Sequence, residues 1–268
     1  MIEVKHFEEV TQFKMGRDIE GHVLYWVAAY LVDGLLIDTG CSYTAKELAK
    51  LLKRDPPKLA VNTHYHEDHI GANHILKQKF GIKIFASRES IPFINRIPKL
   101  LPYEEYMWGY PEPAHVEPLP KTIATAHFHF DVIDTPGHCP GHVALVEPGK
   151  GWCFSGDLFV SRDPMGLRPE DDITETVKSM KKLIALKTDS LILFTSLGNV
   201  IQDGRESLHE CIQYFKNLSQ RAKKLQKQGL SPSTIRDEIF GRETVLAEPT
   251  EGDFSAENMI RAVLRADT

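Results

Sequence analysis

No two cysteines in this chain stand in a Cys-x-x-Cys spacing. Cys41, Cys139, Cys153 and Cys211 are scattered singly, which fits neither a zinc ribbon nor a disulfide framework. A reducing, cytoplasmic setting is therefore expected. Nor is there an apolar run near the roughly 18 residues of a membrane span. Met1-Ile2-Glu3-Val4-Lys5-His6 lacks the basic-then-apolar order of a secretory leader. Positive charge is not in excess: 32 basic against 37 acidic residues leave a net charge of −5. No global field recruits nucleic acid, and a local basic face such as Arg221, Lys223, Lys224 and Lys227 reads first as a solvated helix surface. Solenoid repeats and low-complexity tracts are absent too, and nothing signals an oligomeric state. What remains, with 42% apolar residues over 268 positions, is a chain long enough for one large domain or a domain with an appendage.

Against this background one stretch is unusually rich: Thr63-His64-Tyr65-His66-Glu67-Asp68-His69. Imidazole is the commonest metal ligand, and zinc accepts nitrogen and carboxylate oxygen together. His64 and His66 are two apart, so on an extended segment both face one side, and Asp68 continues that alternation. His69 points elsewhere unless the chain turns, which Gly71 favours. The apolar run Leu59-Ala60-Val61 delivers the cluster from a buried strand. Downstream, candidate ligands stand at other strand ends. His138 follows the strand Phe128–Ile133 and a Pro136-Gly137 turn. Asp157 follows the strand Gly151–Phe154 and Gly156, where a missing Cβ admits close approach.

The string HxHxDH, followed in order by His138 and Asp157, resembles the signature of the metallo-β-lactamase superfamily, in its glyoxalase-II-like branch, from about residue 20 to 200. The resemblance implies an α/β fold: an αββα sandwich of two mixed β-sheets with outer helices, here extended by a helical C-terminal segment. Residues 1–204 would form the core unit, with an insertion or lid loop at 88–120, and 205–268 would pack upon it. His64, His66 and His138 would hold a first metal, Asp68 and His69 a second, and Asp157 would bridge them. Asp38, in Asp38-Thr39-Gly40 after the strand Gly34–Ile37, would support a ligand histidine from behind, fixing its tautomer. The chain departs from the family where a last histidine is usual: Leu197 occupies that place in Thr195-Ser196-Leu197-Gly198. Unless His209 reaches in, the second position is weakened or empty. One zinc ion or two are implied, with iron or manganese as alternatives.

The chemistry implied is hydrolysis of a small-molecule ester, thioester, lactone or phosphodiester by a metal-activated hydroxide, with Asp68 and Asp157 placed to orient it or take its proton. Three other readings compete: a mononuclear iron dioxygenase acting on a thiol or persulfide, a nuclease of the superfamily, and a metal-binding protein without catalysis.

Elsewhere the spacing predicts a helix from a Thr44-x-x-Glu47 capping box to Arg54, a helix over 72–80 closed by Gly81, and one from Ile173 to about Lys187 capped by Asp171 or Asp172. Apolar residues recurring at three and four positions predict a helix over Arg205–Gln228, and Ser231 and Ser255 head two more. Between 88 and 120, seven prolines alternate with aromatic residues and forbid long regular elements. Tyr106 and Trp108 are the substrate-wall candidates there.

Overall fold

The computed structural model describes residues 1–267. Its frame is two mixed sheets laid face to face. The first has seven strands in the spatial order Ile2–Phe7, Val10–Met15, Val27–Val32, Leu35–Ile37, Leu59–Val61, Lys83–Ala86 and Glu117–Pro118. The first four pair antiparallel and the rest parallel. The second has six strands: Thr122–Ala124, His129–Asp134, Val143–Glu147, Trp152–Gly156, Ile192–Thr195 and Val200–Ile201. Only the Trp152–Gly156 and Ile192–Thr195 pair is parallel.

Strand alternation explains why the sheets stack. In Val27–Val32 the residues Val27, Ala29 and Leu31 pack outward against helices, whereas Ala28, Tyr30 and Val32 pack inward against the second sheet. Both faces are covered, so the strand is apolar throughout, as buried strands are. The partner sheet behaves alike: Val143, Leu145, Trp152, Phe154 and Phe194 face inward, and Ala144, Val146, Cys153 and Leu193 face outward. Helices Ala45–Leu51 and Asn73–Phe80 cover the first sheet through Leu48, Ala49 and Leu76. Helices Ile173–Ile184, Gly204–Gln226, Pro232–Phe240 and Ala256–Arg265 cover the second in one continuous apolar cluster, which includes Met180, Phe215, Ile235 and Ile260. The layers are helix, sheet, sheet, helix, as the family resemblance implies. Among the described residues no helix is long and apolar enough to cross a membrane.

Several local expectations need correction. The Thr44 capping box does not form: a 3₁₀ turn over Ser42–Thr44 puts Thr44 in helical backbone, and its hydroxyl donates to the Cys41 carbonyl at 3.1 Å. The following helix stops at Leu51 and the one from Ile173 stops at Ile184, with Asp172 accepting from Glu175 N. The proline-rich 88–120 stretch holds two short helices, Ile91–Ile94 and Pro102–Trp108, because Pro92 and Pro102 sit in first turns, where a missing N–H costs nothing. The N-terminal hairpin Ile2–Met15 has no sequence signal of the usual kind, since its turn is Glu8-Glu9 without glycine.

Candidate metal centre

All the candidate ligands arrive at one rim of the sandwich, where strands end. Leu59–Val61 runs into His64 and His66, His129–Asp134 into His138, Trp152–Gly156 into Asp157, and Leu35–Ile37 into Asp38. The two sheets are stitched together here: Val143 N donates to the Thr63 carbonyl at 2.9 Å, and Ala28 N donates to the Ser196 carbonyl. The expected extended alternation through Asp68 does not occur. Past His66 the backbone turns into one helical turn, Glu67–Ile70, closed by His69 N donating to the His66 carbonyl at 3.0 Å. That turn, not a bend at Gly71, brings Asp68 and His69 to the site.

His66 Nδ1 lies 3.1 Å from His64 Nε2 and 2.8 Å from His138 Nε2. His138 Nε2 is 3.3 Å from one Asp157 oxygen, and His69 Nε2 is 3.4 Å from the other. Asp68 approaches His69 Nε2 at 3.7 Å. Two trios could each hold an ion: His64, His66 and His138, and His64, His69 and Asp157.

Hydrogen bonding behind the rings decides which nitrogens are bare. Asp38 accepts from Thr63 N at 2.7 Å, from the Thr63 hydroxyl at 2.8 Å and from His69 Nδ1 at 2.8 Å. The Thr63 hydroxyl, its one proton committed to Asp38, accepts from His64 Nδ1 at 3.0 Å. His138 Nδ1 donates to Asp171 at 3.0 Å. So the neutral rings of His64, His69 and His138 each turn an unprotonated Nε2 to the interior. Bare nitrogens converging at hydrogen-bond distance repel each other unless a cation or proton sits between them. Buried His69 Nε2 and Asp157 Oδ1 also have no hydrogen-bond partner. This donor set of nitrogens and carboxylate oxygens fits a borderline divalent ion such as zinc.

Burial and charge divide the four rings. Burial, then the neighbouring imidazoles, holds His64 well below the usual histidine range. Burial does the same to His66, with His138 next to it. Burial alone would depress His69 and His138 as well, but Asp68, Asp38 and Asp157 lift the first and Asp157 and Asp171 the second. Asp157 stays well below the carboxylate range despite burial, because His69 and His138 face it. In Asp68 burial prevails and the pKa rises.

Three residues escaped the sequence reading. His142 Nε2 accepts from Asp157 N at 3.1 Å, and its Nδ1 is 2.9 Å from the Thr135 hydroxyl; burial keeps it neutral, with its pKa pushed down to about 3. It anchors the backbone that carries Asp157. Gly156, at φ +50°, permits this, since a Cβ there would stand 2.5 Å from His142 Nε2. Asp171 fixes His138 and also accepts from Arg168 N at 2.7 Å. Arg168 itself lies, largely but not wholly buried, between Glu67 at 3.5 Å and Glu104 at 3.3 Å. The second His of Gly137-His138-Cys139-Pro140-Gly141-His142 was the one available signal; Asp171 and Arg168 depend on distant partners and had none.

Other candidates are placed as follows. A cavity of about 340 Å³ opens on the site, touching His66, Asp68, His138 and Asp157. Trp108 lines it and Tyr106 does not: Tyr106 is half exposed, with its ring against Arg17. Leu197 lines the cavity, while His209 is exposed on its helix and supplies nothing to the site. Cys139 is a buried thiol whose pKa burial raises. Of the basic run, Arg221 is tied to the Glu238 carbonyl and Lys223 to that of Ala266.

The sequence profile of the metallo-beta-lactamase superfamily matches residues 27–194, and the chain belongs to that superfamily. The hydroxyacylglutathione hydrolase GloC of Haemophilus influenzae is 29% identical over 156 residues, covering 56% of this chain and 72% of that one. A probable metallo-hydrolase of Bacillus subtilis, YybB, is 30% identical over 152 residues, 55% of this chain and 68% of the relative. Among solved structures, a metallo-beta-lactamase family protein from Thermus thermophilus superposes with a TM-score of 0.70 at 17% identity, covering 94% of this chain and 91% of that one. A metallo-beta-lactamase from Pontibacter korlensis gives 0.64 at 21%, covering 81% and 100%. At these identities the structural likeness speaks for the fold.

Proposed function

We propose that this chain is a metal-dependent hydrolase of a small-molecule ester, thioester, lactone or phosphodiester, built on a zinc-type site in residues 1–204 and walled in part by 205–268. The observation that carries the reading is the convergence of His64 Nε2 and His138 Nε2 within 3.1 Å of His66 Nδ1 beside a cavity. The hydrolase names of the curated relatives support the same class. A divalent ion there, when bound, supplies a water whose pKa falls from 15.7 to about 7 and polarises the oxygen under attack. The chain's own part is geometric. His64, His66 and His138 hold the first position; Asp68, His69 and Asp157 reach toward a second, with Leu197 offering no ligand. Asp68 and Asp157 border the cavity, where they orient the attacking water and accept its proton. Asp38, through Thr63 and His69, and Asp171, through His138, keep the ring lone pairs aimed inward.

Leu197 favours one further reading, a single iron ion serving a thiol or persulfide dioxygenase. Metal analysis of the purified protein, with turnover of acyl esters, thioesters and a bis-aryl phosphodiester set against oxygen uptake with a persulfide, separates the two. Hydrolysis that disappears together with the metal in His66→Ala supports the hydrolase. Oxygen uptake without hydrolysis replaces it, and His66→Ala retaining metal and turnover refutes the ligand assignment.

A further inference from the structure

We propose that the cavity beside the metal centre is an acyl-chain pocket, so that the preferred substrate is an uncharged ester or thioester of a medium-length, unbranched fatty acyl group. This rests on the hydrolase reading above and adds the substrate class to it. The walls carry the inference. Met107 and Trp108 come from the helix Pro102–Trp108, Leu158 and Phe159 from the segment after Asp157, and Leu246 and Phe254 from the stretch before the last helix. Such surface rewards apolar atoms.

Charge selects further. Arg168 is the only lysine or arginine among the described residues lining the cavity. Its guanidinium is already flanked by the carboxylates of Glu67 and Glu104. No cation is left over for a phosphodiester's negative charge or for the two carboxylates of a glutathione leaving group. Apart from Arg168, Asp171 and the candidate ligands, the polar groups of the wall are neutral: hydroxyls such as Ser161, Thr176, Thr244 and Thr250, and the buried indole N–H of Trp108. Asp171 is spoken for by His138 and Arg168 N. The volume sets a length. At ~30 Å³ per heavy atom, the share of a water in the liquid, 340 Å³ holds about eleven atoms. An ester group takes three or four of these, which leaves room for roughly seven or eight chain carbons.

The test is hydrolysis of p-nitrophenyl esters from acetyl to decanoyl by the zinc-loaded protein, with a hydroxyacylglutathione thioester alongside. The expected kcat/KM rises about fourfold per methylene, the factor that ~0.8 kcal/mol of transfer free energy per CH₂ converts to. It levels off near octanoyl, at least 100-fold above acetyl. The glutathione thioester is expected at least 100-fold below octanoyl. Leu246→Trp, which fills the pocket, should cut the octanoyl-to-acetyl ratio at least tenfold. Should that variant not fold, calorimetric titration of the metal-free wild type with octanamide and acetamide replaces it, with saturable one-to-one binding expected of octanamide only. Acetyl ester turnover with a flat chain-length profile, or a glutathione thioester outrunning octanoyl, overturns the pocket and leaves the hydrolase standing. Octanamide binding with no ester turned over removes the hydrolase and keeps the pocket.

Discussion

Replacing Asp38 by asparagine should disarm the metal centre without unfolding the protein. The carboxylate accepts three hydrogen bonds, one oxygen from Thr63 N and the other from both the Thr63 hydroxyl and His69 Nδ1. An asparagine can keep its carbonyl on Thr63 N, since the reverse would set its NH₂ against that amide. Its NH₂ then faces Thr63 Oγ1 and His69 Nδ1. The hydroxyl must swing round to accept, so it donates to His64 Nδ1; His69 Nδ1 must accept as well. Both rings are thereby pushed to the tautomer with a proton on Nε2, the nitrogen that would have to bind the ion. Asparagine also tolerates the left-handed backbone found at this position, φ +59°. Loss of such a supporting group costs about 10–100-fold in metal affinity, or roughly 1.4–2.7 kcal/mol. Zinc competition against a chromophoric chelator measures this, and long-range nitrogen–proton NMR of the imidazoles reads the tautomers. Asp38→Ala should instead lower the urea midpoint sharply, since it orphans the buried Thr63 amide in a backbone conformation alanine resists. Zinc affinity within twofold of wild type in Asp38→Asn, or unchanged tautomers, would refute the relay.

Other outcomes follow from the same geometry. Leu197→His should raise tightly bound zinc from about one ion per chain toward two, read by elemental analysis after dialysis; an unchanged ratio means the Asp68, His69 and Asp157 group is not one donor short. His142→Phe keeps an aromatic ring in place but removes the acceptor for Asp157 N, so it should cost about 1–3 kcal/mol of stability in urea unfolding; no loss would mean the loop before Asp157 holds itself. Asp33, whose pKa the Thr125 hydroxyl and the His127 amide lower to about 2, contributes stability that is present above the unfolded value near 3.9 and fades as pH falls through about 2. Carboxyl carbon NMR should find its midpoint near 2, and a midpoint near 3.9 would contradict the contact.

Much of this centre was readable in one dimension because its parts are local. His64 and His66 owe their shared direction to a spacing of two, and Asp157 owes its approach to Gly156 beside it. Sheet strands such as Val143–Glu147 and Trp152–Gly156 announce themselves by the apolar runs Val143–Val146 and Trp152–Phe154 within them. The misreadings share a cause as well. Asp68 reads as part of an extended alternation because no residue in Glu67–Ile70 marks a helical turn. Tyr106 and Trp108 read alike in sequence, yet two positions on a helix differ by roughly 200°, so one ring meets Arg17 and the other the cavity. Asp171 and Arg168 gain their roles from His138, Glu67 and Glu104, which lie 33, 101 and 64 positions away from their respective partners. Such pairings exist only once the chain has folded.

X-ray absorption at the zinc edge of the reconstituted protein tests the central claim most directly. Imidazoles from two separate strand ends, His64 and His66 from one and His138 from the other, meeting one ion predict at least three nitrogen scatterers at about 2.0–2.1 Å with the outer-shell pattern of imidazole, reduced by one ring in His138→Ala. A first shell of oxygen alone, or a spectrum indifferent to His138, would contradict it.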